Sequence, residues 1–429
     1  NVLAAAATAA AIVLLIAGPV GYAAGVIGVL VVFATQAVFD TQISVLSEPL
    51  FIALLLLLLA AMIHARDGLL RLGILSTAVV MVRYAGAAAP LAVVLWTLSD
   101  SRHDMRTRVR RAIMVAVIPF LAIVSWFART AMAPDRHATP KLKFYGDWGA
   151  TLAQARDTFG EWLAPLLPDG TVQRCIALFV GIVIVGFIVA AANDTAGKRL
   201  RRMRVSGVNT LLSAASLLGA CYVLVVLASR AFVGGTIPLD WRILAPLIVL
   251  VEVSIVAAIG YWWRAYHFPT RAAIALAAAT WLGAAATVSV NDAVYAATEG
   301  SDFAGSDWRD SPLTLWVHDH AAGHRLYSNW PPALYFHAHR IARELPDTTR
   351  PQDVVPFGKQ LRKDHGYIVA YDEQSPDFIS PETLVRVIGL HRVVRTSDGA
   401  VWSADSVAAT DSVSHDSVAT AKAAVPHQG

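Results

Sequence analysis

Residues 47–65 read SEPLFIALLLLLLAAMIHA, and this stretch decides the fold class. From Pro49 to Ala65 it contains no Asp, Glu, Lys or Arg. A helix crosses the hydrocarbon core of a membrane with about 20 apolar residues, or somewhat fewer when flanking residues anchor it. Backbone polar groups in lipid must be satisfied within the segment, so a helix is the only plausible spanning form. The stretch therefore predicts a transmembrane helix.

Similar apolar runs lie on both sides of this one. The predicted spans are Val2–Ile16, Val20–Phe39, Pro49–Ala65, Leu72–Val82, Ala85–Leu98, Ala112–Ala128, Cys175–Ala192, Val208–Ser229, Leu244–Trp263 and Ala272–Val290. The fourth and fifth runs are short, and Arg83 and Tyr84 separate them. They are either two half-length helices that meet at one face or one broken element. The sequence thus predicts an all-α polytopic membrane domain of about ten transmembrane helices over residues 1–291.

Composition supports this division. Of the 429 residues 56% are hydrophobic and 15% are charged, whereas soluble chains carry about 25% charged residues. This excludes an ordinary soluble enzyme. The charges are sparse up to Asn291 and dense after it, so we expect lipid to surround the first region and water to surround the second.

The positive charges mark the expected orientation. The net charge is +4, but the basic residues sit in short loops between apolar runs, which is a topology signal and argues against a nucleic-acid partner. The basic loops, predicted to be cytoplasmic, carry Arg66 and Arg71, then Arg102 to Arg111, then Lys198 to Arg204, then Arg264 and Arg271. The alternate loops, predicted to face outward, are Phe39–Glu48, Arg83–Tyr84, Arg129–Arg174 and Arg230–Arg242. The chain is therefore expected to be a multi-pass protein of the inner (plasma) membrane with an extracytoplasmic C-terminal domain.

Residues 292–404 are predicted to form that small α/β domain. Short β-like runs occur at Leu326–Ser328, Tyr367–Tyr371 and Arg392–Arg395, helical spacing occurs at Pro331–Arg343 and Pro381–Ile388, and Asp398-Gly399 is a hairpin signal. Residues 405–429 repeat Asp-Ser-Val, contain no aromatic residue and are predicted to be disordered. The first residue is Asn1, and no charged n-region or cleavage site follows it. We therefore expect a fragment whose natural start, with one more span, lies upstream.

Charged residues at the membrane boundary are the first candidates for function, because they are costly there unless they are used. Asp40 and Glu48 flank an outward loop and could orient a polar substrate or hold a metal ion; Glu48 could equally just begin the next helix, whose N-terminus favours a carboxylate. Arg83 could hold a phosphate through two hydrogen bonds or extend toward lipid headgroups. Arg242 is a similar candidate, with an ion pair to Asp240 as the alternative.

The loop 129–174 carries a second group of candidates, including Lys141, Lys143 and Tyr145. A basic and aromatic outward cluster could bind an anionic lipid headgroup or a sugar. It could also be an interfacial helix with an aromatic belt.

Three of these segments resemble one family. Ser47–Phe51 is similar to the "SEP-L-F" start of a span in bacterial GT-C glycosyltransferases, and Val82–Gly86 to their "TRY-x-G" element. Asp240–Pro246 resembles their "D-x-R-Y-L-x-P" segment before a late span. Trp308–Pro312, Tyr327–Asn329 and Asp398-Gly399 fit the extracytoplasmic domain of some members. The relevant branch is related to protein O-mannosyltransferases and aminoarabinose transferases.

The resemblance implies a membrane glycosyltransferase, transferring a hexosyl or pentosyl group from a polyprenyl-phosphate donor to an extracytoplasmic glycan, lipid or protein acceptor. In the family a carboxylate of the first outward loop acts as general base, and this chain begins after that loop, so no residue here receives that role. The donor-binding candidates are Arg83, Arg242, Glu48, Asp40, Tyr84, Lys141 and Lys143. No metal ligand is assigned, and a divalent metal requirement stays open. The rival functions are a transporter or flippase of lipid-linked glycans and a non-catalytic membrane scaffold.

Overall fold

A computed structural model describes residues 1–44, 46–64, 67–132, 144, 148–166, 207–233, 237, 239–263, 266–300, 302–346, 348, 351–373 and 378–404. The chain divides into two compact units, Asn1–Ser301 and Asp302–Gly429. The first unit is helical, and the second is built on a sheet. This is the architecture of a polytopic membrane domain followed by a small α/β domain.

The helices of the first unit follow the apolar runs. They are α1 (Val2–Ala17), α2 (Tyr22–Ala34), α3 (Gln36–Ile43), α4 (Glu48–His64), α5 (Leu69–Val82), α6 (Ala88–Leu98), α7 (Met105–Met132), α8 (Trp148–Leu163), α9 (Gly207–Phe232), α10 (Trp241–Trp262) and α11 (Phe268–Glu299), with a 3₁₀ turn at Tyr84–Ala87. Among the described residues, α7, α9, α10 and α11 are long and apolar enough to cross a membrane alone. The α2–α3 pair is a bent candidate, and α1, α4, α5 and Tyr84–Leu98 are shorter apolar helices.

These helices confirm the predicted polytopic architecture, correct one of its details and decide one alternative that the sequence left open. The second run, predicted as one span from Val20 to Phe39, bends by 74° between α2 and α3, because Thr35 leaves the helical conformation (φ −69°, ψ 120°). The fourth and fifth runs are two separate short helices, α5 and α6, which contact each other and both pack on α7. The seventh predicted span, Cys175–Ala192, lies outside the described residues.

One apolar core joins most of the helical unit. Ile12 of α1, Phe51 of α4, Val79 of α5, Tyr222 of α9 and Val253 of α10 are all buried in a single cluster. In lipid the hydrophobic effect does not drive helices together, so close van der Waals contacts and hydrogen bonds between helices stabilise such packing. A smaller cluster on α3 and α10 packs against the end of α8.

The second unit is a five-stranded mixed sheet with helices on both faces. Its elements are α12 (Ser306–Arg309), α13 (Pro312–His320), β1 (Leu326–Ser328), α14 (Pro331–His337), β2 (Ala342–Glu344), α15 (Val354–Lys363), β3 (Tyr367–Tyr371), α16 (Pro381–Ile388), β4 (His391–Arg395) and β5 (Gly399–Ser403), with 3₁₀ turns at Asp302–Ala304 and Pro351–Asp353. The strand order is β2-β1-β3-β5-β4. β1 is parallel to β2 and β3, whereas β5 is antiparallel to β3 and β4.

Alternation along β3 explains the two helical layers. Val369 and Tyr371 face a cluster that includes α13 and α14, while Ile368 and Ala370 face a cluster that includes α15 and α16. Successive side chains of a strand point to opposite faces, so an almost wholly apolar strand is expected where both faces are covered. Asn329 ties β1 to this strand, because its side chain accepts from the Tyr371 N–H at 3.0 Å and donates to the Tyr371 carbonyl at 3.0 Å.

The predicted strands and the β4–β5 hairpin are confirmed, but the helix predicted over Pro331–Arg343 is too long. α14 ends at His337, and His339 adopts a left-handed conformation (φ 53°) before the chain enters β2. The helical unit also extends beyond the composition boundary at Asp292, which lies inside α11. The tail predicted to be disordered, 405–429, lies outside the described residues.

Candidate functional site

Arg83 occupies the break between α5 and α6. The helix ends at Val82, and Arg83 is extended (φ −148°, ψ 145°) before the 3₁₀ turn begins at Tyr84. Its carbonyl accepts from the Gly86 N–H at 2.8 Å, which closes the turn. The sequence thus places a cation on non-helical backbone at one end of two apolar helices.

Gly86 is required for this turn, because its backbone lies directly on α5. A Cβ atom at position 86 would stand 2.4 Å from the Val79 carbonyl oxygen and 2.8 Å from the Val80 Cα. Real Cβ atoms do not approach backbone that closely, so no other side chain fits without moving the turn. The glycine of the Val82–Gly86 segment therefore sets the position of Arg83.

Glu48 is the first residue of α4, and its side chain is only 5% exposed. Its Oε1 forms an ion pair with Arg83 Nη1, whose side chain is 19% exposed. A carboxylate also favours a helix N-terminus through the helix dipole. Glu48 thus begins α4, as one interpretation predicted, and it also pairs with a second candidate residue. Its predicted role in orienting a substrate or holding a metal ion stays a prediction.

This ion pair lines a cavity of about 460 Å³, which we call the Arg83 cavity. Its lining residues come from the ends of α4, α5, α9 and α10 and from the turns beside them: Leu46, Ser47, Glu48, Val82, Arg83, Tyr84, Ala85, Val226, Ser229, Ile237 and Ile243. Most of the uncharged side chains in this lining are apolar. Tyr84 is 77% exposed, so it lies at the open edge of this cavity.

The third motif segment reaches the same cavity through Ile243. The Tyr222 hydroxyl of α9 donates to the Ile243 carbonyl at 2.7 Å, and the Asp240 carboxylate caps α10 by accepting from the Ile243 N–H at 3.1 Å. Arg242 Nε lies 3.3 Å from the second carboxylate oxygen of Asp240, and its side chain is 42% exposed. Arg242 thus forms the local ion pair that the sequence left open as the alternative, and it is not among the residues that line the Arg83 cavity.

Asp40 lies in a different cavity, of about 360 Å³, which we call the tryptophan cavity. Its lining comes from α3, α8, α10 and α11 and from residues beside them: Thr35, Gln36, Ala37, Asp40, Thr158, Glu161, Trp162, Pro165, Trp241, Trp281 and Ala285. Since α3 leads directly into α4, and Trp241 begins α10, this cavity lies at the same end of the helices as the Arg83 cavity.

A buried carboxylate fixes the wall of the tryptophan cavity. Glu252, in the middle of α10, is 3% exposed. Its Oε1 accepts from the Thr35 hydroxyl and, at 2.9 Å, from the Trp162 indole N–H. The Trp281 indole N–H in turn donates to the Trp162 carbonyl at 3.2 Å. One carboxylate inside a predicted span therefore holds both the α2–α3 bend and the end of α8.

Among the sequence-predicted site residues, Glu48, Arg83 and Tyr84 line the Arg83 cavity, and only Asp40 lines the tryptophan cavity. Glu252 stands out in the sequence only as the main ionisable residue inside the spans, and Trp162 and Trp281 are not among the candidates. A signal that could have found Trp162 is the Gly-Glu-Trp at 160–162, between two apolar runs in a segment that also carries Trp148.

Two of the predicted site residues, Lys141 and Lys143, lie outside the described residues. Within the part of the chain that the structure describes, no group of three or more His, Cys, Asp or Glu side chains is arranged to hold a metal ion. The candidate chemistry therefore rests on the residues of the two cavities.

Comparisons with known proteins give little further information. No protein-family model matches the chain, and no curated protein matches it. Among solved structures the chain is similar to the crystal structure of ArnT from Cupriavidus metallidurans in the apo state, with a TM-score of 0.39 and 13% identity over 94% of this chain and 82% of that chain. A superposition of this quality does not establish function, so the function has to be inferred from the two cavities.

Proposed function

We propose that this chain is a membrane glycosyltransferase that moves a sugar from a polyprenyl-phosphate donor to an acceptor on the outer side of the membrane. One observation carries the proposal: Arg83 and Glu48, from two motif segments far apart in the sequence, form a buried ion pair in a cavity at the end of apolar helices. The third segment, at Asp240–Ile243, borders the same cavity.

The chemistry of the Arg83 cavity suits a phosphate attached to a lipid. A guanidinium carries five N–H donors, and Glu48 contacts one terminal nitrogen, so donors remain for phosphate oxygens. Arginine matches the geometry of a phosphate and does not lose its charge. The apolar side chains of Val82, Val226 and Ile243 suit the first isoprene units of a lipid chain.

In the proposed reaction, the described residues act on the leaving phosphate. The acceptor hydroxyl oxygen attacks the anomeric carbon, the bond from that carbon to the phosphate oxygen breaks, and polyprenyl phosphate leaves with the electron pair. Arg83 stabilises the charge that develops on the leaving phosphate, and such preorganised charge stabilisation is often a large term in catalysis. Glu48 keeps Arg83 in place. A general base, which is not assigned among the described residues, takes the hydroxyl proton.

A transfer assay in vesicles tests the proposal. The reconstituted protein is given polyprenyl-phosphate-linked hexoses and pentoses with an acceptor extract, and release of free polyprenyl phosphate is measured. Arg83→Ala is expected to lower the rate by about 10²–10³-fold, the loss seen when one oxyanion-stabilising donor is removed. Arg83→Lys should keep part of the activity, because it retains the charge but not the fork of donors.

Two further variants separate function from folding. Arg83→Gln combined with Glu48→Gln removes both charges, leaves no buried unpaired ion and should fold yet fail to transfer. Arg102→Ala, which breaks an ion pair with Asp100 in the loop after α6, should transfer at the wild-type rate. Wild-type activity in the double variant, or movement of the intact donor across the membrane without release of polyprenyl phosphate, would contradict the proposal.

A further inference from the structure

We infer that the tryptophan cavity binds a pyranose ring, separately from the Arg83 cavity. The assignment of that ring to a substrate of the transfer reaction rests on the proposed function, whereas the affinity for a sugar ring does not. Asp40 would then contact sugar hydroxyls and would not contact the donor phosphate.

The aromatic wall is the first argument. Trp162, Trp241 and Trp281 come from three different helices and meet at one cavity. The indole N–H groups of Trp162 and Trp281 already donate inside the protein, so the rest of the ring, and not the N–H donor, is what these two side chains have left for a ligand. An indole face carries partial negative charge, and the C–H face of a pyranose ring presents the matching partial positive charge over a flat apolar surface.

The polar lining is the second argument, since it selects hydroxyl groups over phosphate. Asp40 contributes a carboxylate, Gln36 a side-chain amide and Thr158 a hydroxyl. Glu161 adds a second carboxylate, and no described lining residue is Lys or Arg. The Asp40 carboxylate repels a phosphate, whereas hydrogen bonds from hydroxyl groups to a carboxylate are among the stronger neutral–ion bonds.

Rigidity and size are the third argument. Trp162 is bound through Glu252 to Thr35, another lining residue, and Trp281 is bound to Trp162. Walls held this way lose little entropy when a ligand binds. The volume of about 360 Å³ lies at the lower end of the range of about 300–1,000 Å³ for ligand pockets, which fits one ring with bound water and excludes a long glycan chain.

Saturation-transfer NMR on the full-length protein in detergent tests the inference. The probes are methyl glycosides of common hexopyranoses and pentopyranoses, with sorbitol as an open-chain polyol of similar hydroxyl content. We expect at least one glycoside to bind saturably, with the largest transfer to the C–H protons of one ring face, and sorbitol to give none.

Conservative variants then locate the binding. Asp40→Asn and Trp162→Phe should each raise the Kd of that glycoside by about tenfold, equivalent to about 1.4 kcal/mol. Trp126→Phe, a 42% exposed tryptophan on α7 that lines neither cavity, should not change the Kd. Binding of no glycoside, equal binding of sorbitol, or wild-type Kd values in both Asp40→Asn and Trp162→Phe would overturn the inference.

The same assay separates this inference from the proposed function. The double variant Arg83→Gln/Glu48→Gln should bind the glycoside with the wild-type Kd. The Asp40→Asn variant, reconstituted in vesicles that contain polyprenyl phosphate, should bind polyprenyl phosphate as the wild type does. If the protein binds a glycoside but transfers no sugar, the sugar-binding inference stands and the proposed transferase function is wrong. If it transfers a sugar but binds no glycoside, the proposed function stands and the sugar-binding inference is wrong.

Discussion

The two cavities lie at one end of the helical unit and share α10, but they are built in different ways. The Arg83 cavity takes its charged residues from helix ends and turns, where Glu48 begins α4 and Arg83 follows α5. The tryptophan cavity takes its lining from α3, the end of α8, the start of α10 and the middle of α11, and the charged residues of that lining are acidic. One arrangement suits an anion beside a lipid chain, and the other suits a neutral ring rich in hydroxyl groups. Substitutions should therefore affect one cavity without the other.

Of the substitutions below, Glu48→Ala is expected to give the largest difference between its effects on the Arg83 cavity and on the tryptophan cavity. This change leaves Arg83 charged, four-fifths buried and without its carboxylate, and breaking a buried pair in this way costs about 3–5 kcal/mol. The unfolding temperature of the detergent-solubilised protein should fall strongly, and the affinity for polyprenyl phosphate should also fall. Glycoside binding, measured where the variant remains folded, should keep its wild-type Kd.

The double variant Arg83→Gln/Glu48→Gln is the matched control for that measurement. It removes the uncompensated charge and should recover most of the lost stability. If Glu48→Ala is as stable as the wild type, the ion pair does not hold the Arg83 cavity together.

Gly86→Ala should damage the Arg83 cavity by a smaller amount and without removing a charge. The added Cβ atom meets the Val79 carbonyl oxygen at 2.4 Å, so the turn must move, at a cost of about 1–3 kcal/mol. Arg83 moves with the turn, and the rate of transfer should fall more than the stability does. Unfolding curves and transfer rates measured on one preparation check this.

Gly283→Ala on α11 is the control, because a Cβ atom at that position meets nothing within 4 Å. Alanine is favoured over glycine within a helix by about 1 kcal/mol, so this variant should be neutral or slightly more stable. Equal losses from the two alanine substitutions would show that the close contact at Gly86 is unimportant.

The contrast between the cavities also explains what the sequence could predict. Glu48, Arg83 and Asp240 each stand at a helix boundary, where apolar runs stop and a charged residue is conspicuous, so the ends of the apolar runs lead to them. Trp281 lies within the apolar run Ala272–Val290, where an aromatic residue is ordinary. Its contact with Trp162 joins residues 119 positions apart, and no local pattern encodes such a contact. The bend between α2 and α3 is equally hidden, because the residue that holds it, Glu252, is remote in the sequence.

Glu252 allows the tryptophan cavity to be disturbed alone. Glu252→Leu removes the acceptor of both the Trp162 N–H and the Thr35 hydroxyl, and each buried donor left unsatisfied costs about 1–3 kcal/mol. We expect a several-fold rise in the glycoside Kd, while binding of polyprenyl phosphate stays at the wild-type value. Glu252→Gln keeps an acceptor oxygen of the same shape and should retain both the wall and the glycoside Kd. If Glu252→Leu weakens the two ligands equally, the cavities are not independent.

Arg242→Ala should have the smallest effect of these substitutions. It tests whether Arg242, which the sequence analysis predicted to bind the donor, has that role. Its Nε lies 3.3 Å from Asp240, its side chain is 42% exposed, and exposed ion pairs contribute about 0–1 kcal/mol. The Asp240 carboxylate still caps α10 through the Ile243 N–H, so the helix start that borders both cavities should persist. Unfolding temperature, phosphate binding and glycoside binding should all stay close to the wild-type values. A loss of transfer as large as that of Arg83→Ala would instead place Arg242 on the donor, because a local ion pair cannot account for an effect of that size.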